Sequence, residues 1–127
     1  MSPIRMSKIE SGVRVVLEFN EAFNRQDVAG MMKCLSDDCV FEDTGPAPDG
    51  TQHPGKESIR QFLENSLREV QQAHAVIEEI FGFGLRVVMR WRCEWLDERG
   101  APQHARGVDI FKLKDGLIGE KLSYVKG

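Results

Sequence analysis

Alternation of apolar and mostly charged side chains within residues 84–100 constrains the fold of this chain most strongly. The stretch reads GLRVVMRWRCEWLDERG, and one set of alternate positions is apolar: Leu85, Val87, Met89, Trp91, Cys93 and Trp95. The other set carries Arg86, Arg90, Arg92 and Glu94. Because successive side chains of a strand point to opposite faces of a sheet, this period of two predicts a long, half-buried strand. Its charged face is either solvated or an interface between two copies, and we favour a homodimer.

Three further strands are predicted around this one. Residues 104–113 and 117–125 are joined at Lys114-Asp115-Gly116, where Asp-Gly favours a tight hairpin turn. Residues 73–82 supply another strand, although their first positions could instead prolong the helix before them. The C-terminal half therefore reads as consecutive antiparallel strands.

The N-terminal part shows the period of a helix instead. Residues 13–25 carry an apolar stripe, and Asp27 is placed to cap a short second helix that runs through Leu35. Residues 56–70 form a third, amphipathic helix. Helices segregated from strands predict an α+β domain, in which three N-terminal helices pack on one face of a curved sheet and enclose an apolar pocket.

Length and composition are those of a one-domain globular protein. The 127 residues form one domain, 1–127, with residues 1–8 expected to be a flexible N-terminus. A net charge of −3 provides no basic field for phosphate backbones, so we expect no nucleic-acid partner. No apolar run suits a signal peptide or a spanning helix, so we expect no membrane association.

Cysteine and histidine spacing bears on the compartment and on metals. The cysteines are Cys34, Cys39 and Cys93. They are odd in number and lack CxxC spacing, which predicts a reduced, cytoplasmic protein without disulfides or a zinc site. The histidines are His53, His74 and His104. They show neither HxH nor HxxxH spacing, so we expect no metal and no cofactor.

Two acids occupy unusual positions in the predicted strands. The strand at residues 38–43 ends on Asp43, and a loop rich in Gly and Pro follows at residues 44–54. Strand ends beside loops often carry chemistry, although an acid there can also simply solvate the strand end. Asp109 lies in the middle of the strand 104–113, where Asp is uncommon. By alternation it shares the more apolar face, where burial favours the neutral acid; the alternative is an outward Asp paired with a cross-strand Arg.

The order of elements resembles the NTF2-like superfamily, which includes SnoaL-type cyclases and ketosteroid isomerases. The resemblance runs from about Phe19 to Tyr124 and is densest in FNEAFNRQDVAGMMKCLSDDCVFEDTG, HPGKESIRQFLENSL and GVDIFKLKDGLIGE. The first two segments are similar to bacterial Δ5-3-ketosteroid isomerases, and the third resembles both groups. The resemblance implies an NTF2-like, cystatin-like cone with a mixed, mostly antiparallel sheet around a pocket.

The resemblance also implies roles for the two acids. Asp43 stands where the isomerases have the Asp that shuttles a proton, and Asp109 stands where they keep a protonated Asp that hydrogen-bonds the steroid oxygen. The chain departs from them at Phe19, which occupies the position of their tyrosine, the main donor to the oxyanion. Loss of one such donor costs about 10²–10³ in rate.

Three hypotheses about function follow. The first is a ketosteroid-isomerase-like enzyme that moves a proton next to a carbonyl group in a small hydrophobic compound, steroid- or polyketide-like. Its pocket wall would be formed by Phe19, Phe41, Phe62, Trp91 and Phe111. The second is a SnoaL-like polyketide cyclase, in which Asp109 itself is the acid/base and Asp43 is accessory. The third is a non-catalytic dimer that binds hydrophobic ligands, which Phe19 in place of tyrosine favours.

Overall fold

The structure is a computed structural model that describes the backbone of residues 3–127 and the side chains from residue 12 onward. The helices are α1 (Pro3–Asn24), α2 (Val28–Met32) and α3 (Lys56–Glu69). The strands are β1 (Leu35–Glu42), β2 (Gln52–Pro54), β3 (Gln71–Phe83), β4 (Arg86–Leu96), β5 (Pro102–Lys114) and β6 (Leu117–Val125). The predicted flexible segment, residues 1–8, lies in part outside the described residues, and it stays a prediction.

All six strands form one sheet in the order β2-β1-β6-β5-β4-β3. Every neighbouring pair is antiparallel except β1 and β6, which run parallel, so the sheet is mixed. Helix α1 packs against β3, β4 and β6, and α3 packs against β1, β2 and β3. The α+β class, with helices on a curved mixed sheet, is therefore confirmed.

The alternating stretch forms β4, as predicted. Val87 and Met89 are buried against the helices, whereas Arg86 and Arg90 are exposed on the other side of the sheet. We call these two sides the inner and the outer face.

The hairpin between β5 and β6 also agrees with its sequence. Asp115 and Gly116 both have positive φ angles, 53° and 79°, as a two-residue type I′ turn requires.

Several elements begin or end a few residues away from their predicted bounds, and two differences change the assigned structure. Leu35 begins β1 instead of ending α2, because α2 stops at Met32 and the chain pairs directly with Ile118 of β6. Residues 52–54 were expected to be loop, but they form β2, a three-residue edge strand on β1. A strand this short carries no period, and its polar composition is that of a loop.

A continuous apolar core lies between the helices and the inner face of the sheet. Its fully buried side chains include Val16, Met31, Leu35, Cys39, Phe41, Ile59, Val87, Phe111 and Ile118. Polar side chains fix α1 on the sheet: Asn24 donates to the carbonyl of Ala75 at 3.0 Å and accepts from its N–H at 2.7 Å. Asp27 caps α2 as predicted, because its carboxylate accepts from the N–H of Gly30 at 2.9 Å. Within the described residues, no helix is long and apolar enough to cross a membrane.

Candidate active site

A cavity of about 200 Å³ lies between α1, α3 and the inner face of the sheet. Five of the seven predicted site residues line it: Asp43, Asp109, Phe19, Phe62 and Trp91. Apolar side chains make up most of the remaining wall, including Phe23, Met31, Leu63 and Met89. The fold therefore brings two acids, distant in sequence, to one apolar space.

Phe41 and Phe111 were also expected in the pocket wall, but they are not among the residues that line the cavity. Both are fully buried, with 1% and 0% of their surface exposed. Phe41 packs edge-on against Phe19, with ring centroids 5.8 Å apart. The prediction was wrong for these two residues for a simple reason. Alternation assigns a residue to the inner face, but it does not tell which inner residues border an open space and which fill the core.

Asp109 lies on the inner face of β5, opposite Met89 of β4 and Ser123 of β6. Only 5% of the residue is exposed. Its Oδ1 atom is buried and has no hydrogen-bond partner among the described residues. A buried, unsatisfied carboxylate oxygen is costly, so this atom is a natural acceptor for a ligand or for a proton.

The other oxygen of Asp109 faces a lysine that the sequence did not single out. Nζ of Lys121 lies 3.6 Å from Oδ2 of Asp109, and only 17% of the lysine side chain is exposed. Nζ also donates to Oγ of Ser123 at 2.9 Å and lies 4.8 Å from the centre of the Phe41 ring. Lys121 and Ser123 both line the cavity, so the ammonium belongs to the site.

This ion pair changes the expectation for Asp109. The sequence predicted a neutral acid, or else an outward Asp paired with Arg, and the structure has an inward Asp paired with Lys121. Oδ2 of Asp109 therefore faces a cation, whereas Oδ1 has no partner among the described residues.

Lys121 was missed because a bulge reverses the alternation of β6. Leu113 pairs with Ile118 and Lys112 pairs with Glu120, so Gly119 has no partner on β5. The extra residue turns Lys121 to the same inner face as Ile118, although the two are three positions apart. Regular alternation would have placed them on opposite faces.

Asp43 follows the last residue of β1, at the rim of the cavity. Its Oδ1 accepts from the N–H of Thr44 at 2.7 Å, and its own N–H donates to the carbonyl of Thr51 at 2.8 Å. Gly50 lets the loop return this closely, because a Cβ there would lie 1.8 Å from the carbonyl oxygen of Asp43, and its φ is +77°. The loop thus fixes a carboxylate where the cavity opens.

Trp91 forms the cavity wall beside Asp109. Its ring lies over Gly107 of β5, where a Cβ would come within 2.5 Å of Cζ2 of the indole. Nε1 of Trp91 is buried and has no acceptor among the described residues. Trp91 is thus a candidate hydrogen-bond donor in the cavity wall.

Other reactive side chains are excluded by burial or position. Cys93 borders the cavity, but burial raises the pKa of its thiol, so it stays protonated and is a poor nucleophile at neutral pH. His104 and Tyr124 both lie on the outer face, opposite Glu94 and Val108. Over the described part of the chain, no three His, Cys, Asp or Glu side chains are placed to hold a metal ion.

Comparison with known proteins places this chain in a family. Residues 16–121 match the family described as the SnoaL-like domain. An NTF2-like protein of unknown function from Mesorhizobium loti is 32% identical, over 94% of each chain, with a TM-score of 0.79. Among curated proteins, none matches this sequence.

More distant structures share the fold. An LEH-like epoxide hydrolase from M. tuberculosis is 19% identical, with a TM-score of 0.80 over 94% of this chain and 85% of the hydrolase. A protein with a ketosteroid isomerase-like fold from Catenulispora acidiphila, in complex with trimethylamine, is 14% identical, with a TM-score of 0.78 over 87% and 83%. These likenesses show the fold alone, so the reaction has to be argued from the side chains.

Proposed function

Because the chain belongs to the SnoaL-like family of NTF2-like proteins, we propose that it is an enzyme that moves a proton on a carbon next to a carbonyl group. The substrate is a small apolar carbonyl compound. The observation that carries the proposal is the meeting of Asp43, Asp109 and Lys121 on one apolar cavity. Proton abstraction at carbon needs a base and a stabiliser for the developing oxyanion, and these residues supply both.

Asp43 is the general base in this proposal. It lies at the cavity rim, and one of its oxygens is held by the N–H of Thr44. The proton leaves the carbon next to the carbonyl for the carboxylate of Asp43, and the carbonyl oxygen becomes an enolate oxygen. Return of the proton to another carbon completes a double-bond isomerisation, as in the ketosteroid isomerases that the sequence resembles.

The oxyanion is stabilised by Lys121 and Trp91 instead of a tyrosine. Phe19 lines the cavity but cannot donate a hydrogen bond. The ammonium of Lys121, held by Asp109, supplies positive charge, and Nε1 of Trp91 is a donor without an acceptor among the described residues. A charge-assisted donor in an apolar site is a strong stabiliser of a developing oxyanion. The resemblance implies a different donor at this point, a neutral Asp109, and that role stays a prediction.

The second candidate is SnoaL-like aldol cyclisation with Asp109 as the acid/base. It is favoured by the buried Oδ1 of Asp109, which has no partner among the described residues, and by the ammonium of Lys121 beside the other oxygen. A desolvated carboxylate with one available oxygen is well suited to accept a proton. Asp43 would then only position the substrate.

Parallel assays of Asp43→Asn and Asp109→Asn separate the two candidates. The substrate is cyclohex-3-enone, a β,γ-unsaturated ketone small enough for the cavity, and the product is followed by the absorbance of its conjugated enone. We expect Asp43→Asn to lose about 10²–10⁴ in rate, since it removes the base. A loss confined to Asp109→Asn would favour the second candidate. If the wild type does not turn over this ketone, then the proposed isomerase activity is contradicted.

We also propose that the chain forms a homodimer through the outer face of the sheet. Four apolar side chains lie opposite one another across four strands, Phe81, Val88, Ile110 and Leu122. Phe81 is 50% exposed, and the other three are half-buried. Ion pairs of Arg86 with Glu120 and of Arg90 with Glu79 border this apolar row. An apolar centre with a charged rim is typical of protein interfaces.

A further inference from the structure

A second depression, of about 400 Å³, adjoins the cavity on the side of α3. Asp43, Phe62 and Ser66 border both spaces. The remaining lining of this groove is polar: His53, Ser58, Gln61, Asn65 and Glu69. We call it the α3 groove.

Phe62 is the partition between the two spaces. Its ring is half-buried and stacks on the imidazole of His53, with centroids 4.2 Å apart and planes 19° from parallel. Nε2 of His53 is buried and has no partner among the described residues. A rotation of Phe62 would join cavity and groove, and it would uncover this nitrogen for a hydrogen bond with a ligand.

The size of the cavity indicates that such a joined space is needed. Binding sites for small molecules usually measure about 300–1,000 Å³. The cavity alone, at about 200 Å³, is below this range, and the groove adds about 400 Å³. Asp43 lies at the junction, so a substrate that spans both spaces presents its middle part to the base.

The charges of the groove indicate which chemical group it accepts. Its lining includes two carboxylates, Asp43 and Glu69, and no Lys or Arg. A phosphate or carboxylate on the ligand would therefore be repelled. Hydroxyl groups can donate to the carboxylates, and they can also bond to the amides of Gln61 and Asn65.

We propose that the α3 groove binds an uncharged, hydroxylated end of the substrate, while its apolar, carbonyl-bearing end lies in the cavity. This inference rests on the proposed function for the cavity. It predicts a substrate class of polyhydroxylated or glycosylated aromatic or alicyclic ketones, with Phe62 as the residue that gates the groove.

Calorimetric titration with a matched pair of ligands tests the proposal. Acetophenone fills only the cavity, whereas its para-O-glucoside adds a hydroxylated end of suitable polarity for the groove. We expect the wild type to bind the glucoside about tenfold more tightly, a difference of the size that one or two good hydrogen bonds give. The double variant Gln61→Ala/Glu69→Ala should lose this preference.

Two controls keep the result specific to the groove. Glu64→Ala changes an exposed residue of α3 that lines neither space, and it should leave the preference intact. The para-O-phosphate of the same ketone should bind more weakly than the glucoside. Three results would each overturn the proposal. The wild type does not bind the glucoside, the double variant prefers the glucoside as strongly as the wild type does, or the phosphate binds more tightly than the glucoside.

Exchange of the acetophenone methyl protons in D₂O separates this proposal from the proposed function. If the wild type catalyses exchange and the double variant keeps the preference for the glucoside, then only the proposal for the groove is wrong. If the double variant loses the preference for the glucoside but the wild type catalyses no exchange, then the proposed proton transfer is wrong and the groove is still a binding site.

Discussion

At the scale of residues, the pair of Asp109 and Lys121 decides what the site can do. Each partner alone would be an unfavourable charge in an apolar space, and together they place a carboxylate and a cation on the cavity wall. Asp109 was identified from its sequence position because an acid in the middle of a strand is rare. Lys121 was not, since a lysine between Glu120 and Leu122 looks like any solvated strand residue.

Removal of Lys121 tests whether the pair is a buried unit. Lys121→Met leaves the carboxylate of Asp109 without its cation, so we expect the free energy of unfolding to fall by about 3 kcal/mol. Asp109→Asn/Lys121→Met should recover most of this loss, because no charge stays buried. Urea denaturation of the two variants and the wild type measures both effects.

The control for these variants is Lys114, which forms an exposed ion pair with Asp38. Lys114→Met should change stability little, since water screens an exposed pair. If Lys121→Met were as mild as Lys114→Met, then the buried ion pair would not exist in solution.

At the scale of elements, regular patterns could be predicted and local irregularities could not. The long β4 and the Asp115-Gly116 turn follow from period and turn chemistry. The bulge at Gly119 does not, because a single glycine in a strand signals only that a bulge is possible. This bulge brings Lys121 into the cavity. The sequence did not predict Lys121 as a site residue because it did not predict the bulge.

The loop after β1 provides a test at this scale. Gly50→Ala forces a Cβ against the carbonyl of Asp43 at a positive φ, so it should cost more than about 1 kcal/mol and displace the base. Gly45→Ala, where a Cβ has no neighbour within 4 Å, is the matched control in the same loop. We expect lower stability and lower turnover only for Gly50→Ala. Equal behaviour of the two variants would mean that the loop does not position Asp43.

At the scale of the whole molecule, the sheet separates two different surfaces. Its inner face carries the site, and its outer face carries the apolar row. The fold class was evident from the order of helices and strands, but the volume of the cavity depends on how α1 and α3 sit on the sheet. No local pattern in the sequence encodes that packing, which is why Phe41 and Phe111 could not be separated from the true lining residues.

The outer face gives the prediction at this scale. Val88→Arg places a charge at the centre of the apolar row, so we expect it to shift the protein from dimer to monomer in sedimentation velocity. Glu64→Gln alters the net charge equally on a helix away from this face, and it should stay dimeric. A wild type that sediments as a monomer at all concentrations would contradict the proposed interface.

The most direct test of the central claim is proton exchange at carbon. Cyclohexanone in D₂O is followed by proton NMR with the wild type, and with Asp43→Asn and Asp109→Asn. We expect the wild type to exchange the protons next to the carbonyl faster than buffer does, and Asp43→Asn to lose about 10²–10⁴ of this acceleration. Exchange by the wild type at the buffer rate would contradict the claim that these carboxylates move a proton at carbon.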